Sequence, residues 1–250
     1  MKYAVCILPV AHVRASPDHR AEMVNQLLFG ESIRIKAIDS EGWAEAESVY
    51  DDYRGFCRLN QFALLDNALQ EIGEYTADWV QEIFINDLKM IIPFGCNLSL
   101  LKINVPGYKI IYSGNIYKVD AGNIGEEKLI SIASIYLNTA YLWGARSVFG
   151  IDCSGYSQSV FRMLGVALPR DASMQAEQGT SIGFLQEAKC GDLAFFDEND
   201  VITHVGILLN EHQIIHASGN VRIDDIDNEG IVHVNTKKRT HRLRIIKRFF

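Results

Sequence analysis

The chemistry of this chain centres on Cys153. It lies in Phe149-Gly150-Ile151-Asp152-Cys153-Ser154-Gly155, a glycine-bounded turn that leads straight into apolar residues at helical spacing, Tyr156, Val160, Phe161 and Leu164. A thiol at the start of a helix faces unpaired backbone N–H groups and the positive end of the helix dipole. Both favour the thiolate, and the thiolate is the nucleophile. The competing reading is a small buried hydrophobe, which is the better one for Cys6, Cys57, Cys96 and Cys190. Five cysteines, odd in number and without a C-x-x-C, argue against a disulfide framework or a four-thiolate zinc site. They argue for free thiols in a reducing compartment.

A nucleophilic cysteine needs a base. His204, in Ile202-Thr203-His204-Val205-Gly206-Ile207-Leu208-Leu209, and His216, in Gln213-Ile214-Ile215-His216-Ala217, both interrupt apolar runs that read as strands. If Asn210-Glu211-His212 is a three-residue hairpin loop, Leu209 pairs with Gln213 and His216 faces Gly206. His204 is then its diagonal neighbour on the same face, about 7–8 Å away along the sheet. A two- or four-residue loop would put the two imidazoles on opposite faces. In the favourable register His204 is the base and His216 orients it; the alternative is two core histidines. His212 and His216 have the i, i+4 spacing of zinc ligands on a helix, but the segment reads as a strand without H-E-x-x-H. No metal and no cofactor is expected.

Asp152 and Ser154 bracket the thiol and read either as contacts for a charged substrate group or as helix caps. Tyr141, in Tyr141-Leu142-Trp143-Gly144, offers a hydroxyl to an oxyanion beside the Cys153 backbone N–H. Packing in an aromatic core is the competing reading, more for Trp143 than for Tyr141.

These residues must be held by two kinds of structure. Residues 1 to about 120 are short apolar runs cut by turns: Tyr3–Val10, Ser32–Ile38, Trp43–Val49, Gly55–Leu59, Met90–Pro93, Leu98–Val105 and Tyr108–Ser113. They predict small β-barrels, divided near Asn67, with Trp79–Leu88 read as a strand or a short helix. From Gly125 the period changes. Helices are expected over Glu126–Asn138, with acidic residues in its first turn, and over Cys153–Leu164. Strands follow at Leu193–Phe196, Ile202–Leu209, Gln213–Ala217, Ile231–Asn235 and Leu243–Ile246. Helices first and an antiparallel sheet afterwards is an α+β pattern. The domains are thus 1–66, 67–120 and 121–250.

Composition closes off other classes. Lys plus Arg is 24 against 31 Asp plus Glu, a net charge of −7. This argues against nucleic-acid partners, which need a basic face, and against anionic membranes, despite a basic tail from Lys237 to Arg248. No apolar stretch approaches the ~20 residues of a membrane helix. Tyr3–Val10 contains Pro9 and no small-x-small site follows, so it reads as a strand rather than a signal peptide. A monomer is expected, and a cytoplasmic location, or an extracytoplasmic one if a signal peptide has been trimmed from the start.

Taken together, Tyr141-Leu142-Trp143-Gly144, Asp152-Cys153-Ser154-Gly155, Leu168-Pro169-Arg170-Asp171, Gly191-Asp192-Leu193-Ala194-Phe195-Phe196, His204-Val205-Gly206-Ile207 and Ile215-His216-Ala217 resemble the NlpC-type cell-wall cysteine peptidases, compact relatives of papain. The resemblance implies Cys153 as nucleophile, His204 as base, His216 as the orienting residue and Tyr141 near the oxyanion. Val13-Arg14-Ala15-Ser16-Pro17, Leu28-Phe29-Gly30-Glu31, Gly42-Trp43 and Tyr53-Arg54-Gly55-Phe56 are similar to the first of the SH3-like domains that precede one subgroup of these peptidases. That subgroup cuts between γ-D-glutamate and L-lysine or meso-diaminopimelate in murein-derived peptides with a free N-terminal L-alanine. By motif position, Glu31 (with Glu22 as competitor), Tyr53, Asp152 and Ser154 would surround the alanine amine, with Trp143 and Asp171 as further substrate-side residues. Two acids around one amine make physical sense, because an unpaired buried charge is costly. Ala172 departs from the serine frequent after the Asp in related enzymes. An acyltransferase on the same fold, and a catalytically silent peptide-binding module, are the alternatives.

Overall fold

The computed structural model describes residues 2–122 and 124–250. It has two compact units, Met1–Val119 with Trp143–Phe149, and Asp120–Leu142 with Gly150–Phe250.

The first unit is built on a seven-stranded antiparallel sheet in the order β3-β2-β6-β5-β4-β1-β7. Its strands are β1 (Lys2–Cys6), β2 (Val10–Arg14), β3 (Met23–Leu28), β4 (Ser32–Ile38), β5 (Trp43–Ser48), β6 (Arg54–Arg58) and β7 (Phe62–Leu65). The run expected over Tyr3–Val10 is thus two strands with a turn at Ile7–Pro9. Strand β1 buries both faces, because successive side chains alternate. Ala4 and Cys6 enter one core with Val13, Ile33 and Phe62. Val5 enters a second with Phe29, Ile83, Ile92 and Leu100.

That second core joins the large sheet to the small strands β8 (Glu74–Thr76), β9 (Val80–Ile85), β10 (Leu88–Pro93), β11 (Ile110–Tyr112) and β12 (Ile116–Lys118). The ambiguous Trp79–Leu88 stretch is the strand β9. Asn86 and Asp87, at φ 50° and 66°, then turn the chain into β10, with Ile85 opposite Leu88. Two left-handed residues match the twist of a two-residue hairpin. Leu98–Val105 is not a strand. Asn97 accepts the Ser99 N–H on its side chain at 2.9 Å and starts a 3-10 turn over Leu98–Lys102. Gly30 adopts φ +81°, and a Cβ there would lie 1.9 Å from the Asn97 carbonyl oxygen, so no other residue allows this approach.

Arg146, on the short strand β13 (Arg146–Ser147), is 1% exposed and Glu31 is 2% exposed. Arg146 donates to both Glu31 oxygens, at 3.1 and 3.3 Å, and to the Gln26 carbonyl at 3.2 Å. Glu31 also accepts the Leu28 N–H at 3.0 Å.

The second unit holds β14 (Gly150–Ile151), α1 (Glu126–Ser134), α2 (Cys153–Met163), α3 (Ala172–Ala176) and a seven-stranded antiparallel sheet. Its strands are β15 (Thr180–Ile182), β16 (Leu193–Glu198), β17 (Val201–Leu208), β18 (Gln213–Ser218), β19 (Asn220–Asp227), β20 (Gly230–Val232) and β21 (Arg239–Arg248). The order is β15-β21-β16-β17-β18-β19-β20, and β20 also pairs with β21. Six strands therefore close into a barrel, filled by Ala194, Phe196, Leu208, Ile214, Ile226, Ile231 and Ile246. Helix α2 is buried along its whole length and packs on β17, β18 and α1. It stops at Gly165, φ +82°. The Val166 N–H bonds the Phe161 carbonyl and the Gly165 N–H that of Arg162, the two bonds of a Schellman end. The α+β expectation describes this unit; strands β15 and β19 and helix α3 were not foreseen.

Replacing Glu31 with Ala leaves the Arg146 guanidinium buried without its carboxylate. The expected loss is about 3–5 kcal/mol of unfolding free energy, read by urea denaturation beside the unaltered protein.

Candidate active site

Cys153 sits where expected, at the first residue of α2. Asp152 is the N-cap and accepts the Gly155 N–H at 2.7 Å. Arg170, 2% exposed, reaches the same carboxylate with both terminal nitrogens, at 3.0 and 2.5 Å, and the Ser154 hydroxyl at 2.9 Å. Gln175 ties the Ser154 and Pro169 carbonyls together. Asp152 is thus the cap of α2, and Asp152 and Ser154 are both partners of a buried arginine. Asp171, half-buried, is the N-cap of α3. Ala172 is buried within that helix and Ser173 beside it is exposed.

The thiolate expectation is corrected. Burial, reinforced by the Asp152 charge, pushes the Cys153 thiol up to about 11, against the lowering by the Val205 and Ser154 backbone N–H groups and Arg170. The backbone N–H groups act in the foreseen direction, and the loss of water around a residue only 5% exposed outweighs them. The Val205 N–H that reaches the sulfur belongs to the residue directly after His204.

The hairpin register is the favourable one. Ile207 pairs with Ile215 and Leu208 with Ile214, and the Leu209 N–H bonds the Gln213 carbonyl at 2.9 Å. His216 therefore lies opposite Gly206. A Cβ on Gly206 would come within 2.8 Å of His216 Cβ and 2.7 Å of Ile214, so the glycine makes room for the imidazole. His204 Nε2 and His216 Nδ1 are 2.8 Å apart. His216 Nε2 lies 3.0 Å from Asp224 Oδ2 on β19. Asp224 also accepts from Arg222 Nε at 2.9 Å and from the Val234 N–H at 2.9 Å. His212, the other residue of the zinc spacing, has an exposed side chain.

Burial lowers the His204 pKa well below 6.5, helped by His216, His241 and Arg222. Burial likewise lowers that of His216, against the opposing pull of Asp224. His241 stacks on His204 with ring centroids 4.1 Å apart and planes at 22°; burial takes its own pKa down to about 4. Bulges in the pairing of β16 with β17 and with β21, on either side of Phe196, shape the strand ends here. They open a cleft of about 550 Å³ that His204, His241 and Tyr141 share with Asp197, Ser218 and Arg242.

Tyr141 is strapped to the β18–β19 turn by its N–H on the Gly219 carbonyl, 2.8 Å. Burial and the charges of Cys153 and Asp152 raise its phenol above the ordinary range, which keeps it a donor. Trp143 is not a core aromatic. It is 59% exposed and its indole donates to Glu22 at 2.7 Å. Glu31 is closed in with Arg146, and Tyr53 is half-buried. Asp224, Arg222 and His241 were missed. Val221 and Ile223 alternate with Arg222 and Asp224, and that alternation was the available sign of a strand.

A buried thiol on a helix start, a buried imidazole in the sheet and an orienting second imidazole are the parts of a cysteine hydrolase. Residues 138–240 match the NlpC/P60 family and residues 13–62 the bacterial dipeptidyl-peptidase Sh3 domain. The chain is 28% identical to Dipeptidyl-peptidase 6 of Lysinibacillus sphaericus, over 90% of this chain and 92% of that protein. It is 38% identical to Gamma-D-glutamyl-L-lysine dipeptidyl-peptidase of Bacillus subtilis (strain 168), over 36% of this chain and 31% of that protein. A solved NlpC/P60 family protein from Bacillus cereus ATCC 10987 has the same fold, with a TM-score of 0.80 at 17% identity and 98% and 99% of the two chains covered. The chain therefore carries an NlpC/P60 domain together with a bacterial dipeptidyl-peptidase SH3 domain. It is homologous to the two dipeptidyl-peptidases just named.

Because the thiol is protonated up to about 11, alkylation of Cys153 by iodoacetamide is expected to keep accelerating from pH 7 past pH 9. A thiolate formed at neutral pH would give a plateau instead. Because the His204 pKa is lowered, its neutral form persists on the acid side, and the acid limb of kcat/KM is expected below 6.5. Gly206→Ala is expected to lower kcat roughly 10²-fold by displacing His216, measured on any peptide the protein cleaves.

Proposed function

We propose that this protein is an endopeptidase that hydrolyses the bond between γ-D-glutamate and the L-diamino acid, L-lysine or meso-diaminopimelate, of peptidoglycan-derived peptides with a free N-terminal L-alanine. The observation that carries the reading is the buried line from His204 to His216 and Asp224, with the backbone N–H of Val205, the residue after His204, on the Cys153 sulfur. The name of the homologous Gamma-D-glutamyl-L-lysine dipeptidyl-peptidase supports the bond.

In this reading Cys153 Sγ attacks the γ-glutamyl carbonyl carbon while the thiol proton passes to His204. With both groups neutral at the start, proton transfer accompanies attack, so no ion pair has to form beforehand in a dry site. The Cys153 backbone N–H and the Tyr141 hydroxyl stabilise the oxyanion. His204 returns the proton to the departing amine, which leaves a thioester. A water deprotonated by His204 then releases the dipeptide and restores the thiol. The amine of the alanine is read at Asp152 and Ser154, whose positions Arg170 and Gln175 hold. Peptides with that amine free arise only once the stem has left the glycan, so the pool is released wall peptide, in keeping with a cytoplasmic recycling role. An acyltransferase needs an apolar groove for its acyl chain; the cleft beside His204 is lined by Asp197, Glu198, Thr203, Ser218, Thr240 and Arg242, which favours the peptidase.

Mass spectrometry of L-Ala-γ-D-Glu-diaminopimelate incubated with the protein is expected to show L-Ala-D-Glu, and none with Cys153→Ala. N-acetylation of the alanine is expected to lower kcat/KM by about 100-fold or more, the scale of a lost charge-assisted contact. Turnover by Cys153→Ala would remove the mechanism, and equal cleavage of both peptides would remove the amine recognition.

A further inference from the structure

The two imidazoles are not equivalent, and the difference originates in a residue that lies behind both of them. Asp224 is wholly buried. Burial opposes its charge, but hydrogen bonds from His216 and the Val234 N–H, with Arg222 alongside, outweigh it and hold the carboxyl well below the ordinary carboxylate range. An ionised carboxylate only accepts. The nitrogen that faces it, His216 Nε2 at 3.0 Å, therefore carries a proton. A neutral imidazole has one N–H, so His216 Nδ1 is bare. It can only accept, and the group 2.8 Å away is His204 Nε2, which must donate. His204 then has Nδ1 bare.

We propose that Asp224 is a positioning residue that sets the tautomers of two imidazoles in series and so leaves Nδ1 of His204 as the free base. This rests on the peptidase reading for its consequence in catalysis, and on geometry alone for the tautomers. Asp224 is fixed in turn. Its other oxygen accepts the Val234 N–H, and Arg222 shares Oδ2 with His216. His241 stacks on the face of His204 and leaves its ring edge to this line. Without the carboxylate, His216 has no acceptor at Nε2 and both tautomers of the pair become open. In the reversed one His216 Nδ1 donates to His204 Nε2, and His204 carries its proton on Nδ1, where it cannot receive the thiol's.

The test uses protein labelled with ¹⁵N-histidine at neutral pH without substrate, together with Asp224→Asn. Long-range ¹⁵N–¹H spectra are expected to show both His204 and His216 protonated on Nε2. A proton on Nδ1 of either overturns the proposal whether or not the variant folds. In Asp224→Asn the single tautomer is expected to be lost. The kcat for L-Ala-γ-D-Glu-L-Lys is expected to fall by roughly 10²- to 10⁴-fold with KM within a few-fold, the scale seen when an orienting carboxylate becomes an amide. A folded Asp224→Asn that keeps the wild-type tautomers, or a kcat within threefold, also overturns it. Failure of the wild-type protein to cleave that peptide would strike the peptidase reading, while the wild-type spectra would still decide the tautomers.

Discussion

A buried imidazole has two nitrogens and no water to satisfy them, and the catalytic unit is organised around that constraint. His216 is fully buried and His204 nearly so, so each must find its partners in the sheet. Only one register supplies them. It requires a three-residue loop between β17 and β18, a glycine opposite His216, and a third strand that brings a carboxylate to the far nitrogen. Each condition answers to a specific feature: the Leu209–Gln213 closure, the contacts that a Cβ on Gly206 would make, and Asp224 on β19. The sheet order places β21 beside β16, one strand from β17, and His241 on β21 covers the face of His204.

The same scarcity of water governs the nucleophile. A helix N-terminus is an electropositive place for a thiol, yet α2 is buried from end to end and its cap is a carboxylate. Desolvation and the Asp152 charge together exceed what the backbone N–H groups and Arg170 return. Both shifts favour the neutral forms of Cys153 and His204. Arg170 has a second consequence, since it binds Asp152 and Ser154 at once and locks the turn on both sides of Cys153. The cap, the salt bridge and the nucleophile are one rigid object, which suits a reaction that depends on the placement of a single sulfur.

In the first unit the comparable device is the pair between Glu31 and Arg146. An acid and an arginine that are each almost wholly enclosed contribute little net stability once desolvation is counted, but either one alone is severely destabilising. The pair therefore restricts which arrangements of the segment from Trp143 to Phe149 are tolerated within its unit. Val5 and Phe29 play the apolar part of the same role, tying the large sheet to the small strands through a shared core.

Much of this was legible in residue order. Cys153 followed from a turn, His204 and His216 from their intrusion into apolar strands, and their juxtaposition from counting a hairpin loop. Those are local features, and strand periodicity carries them over a few residues. Other features were decided only by the tertiary structure. Asp224 and Arg222 lie between the expected strands Gln213–Ala217 and Ile231–Asn235, in a segment where no strand is expected, and β19 there is flanked by β18 and β20. His241 is distant in sequence and is brought to His204 by β21, which pairs with β16 one strand away from β17. Trp143, read as a substrate-side residue or as core packing, is exposed, and Glu31, read as a ligand for an amine, is enclosed with an arginine 115 residues away. The protonation of Cys153 turned on how much water the fold removes, a sum over the whole surroundings that no local spacing contains. Residue order therefore determined which groups are the candidates for chemistry, and three-dimensional burial determined their partners and the direction in which their pKa values move.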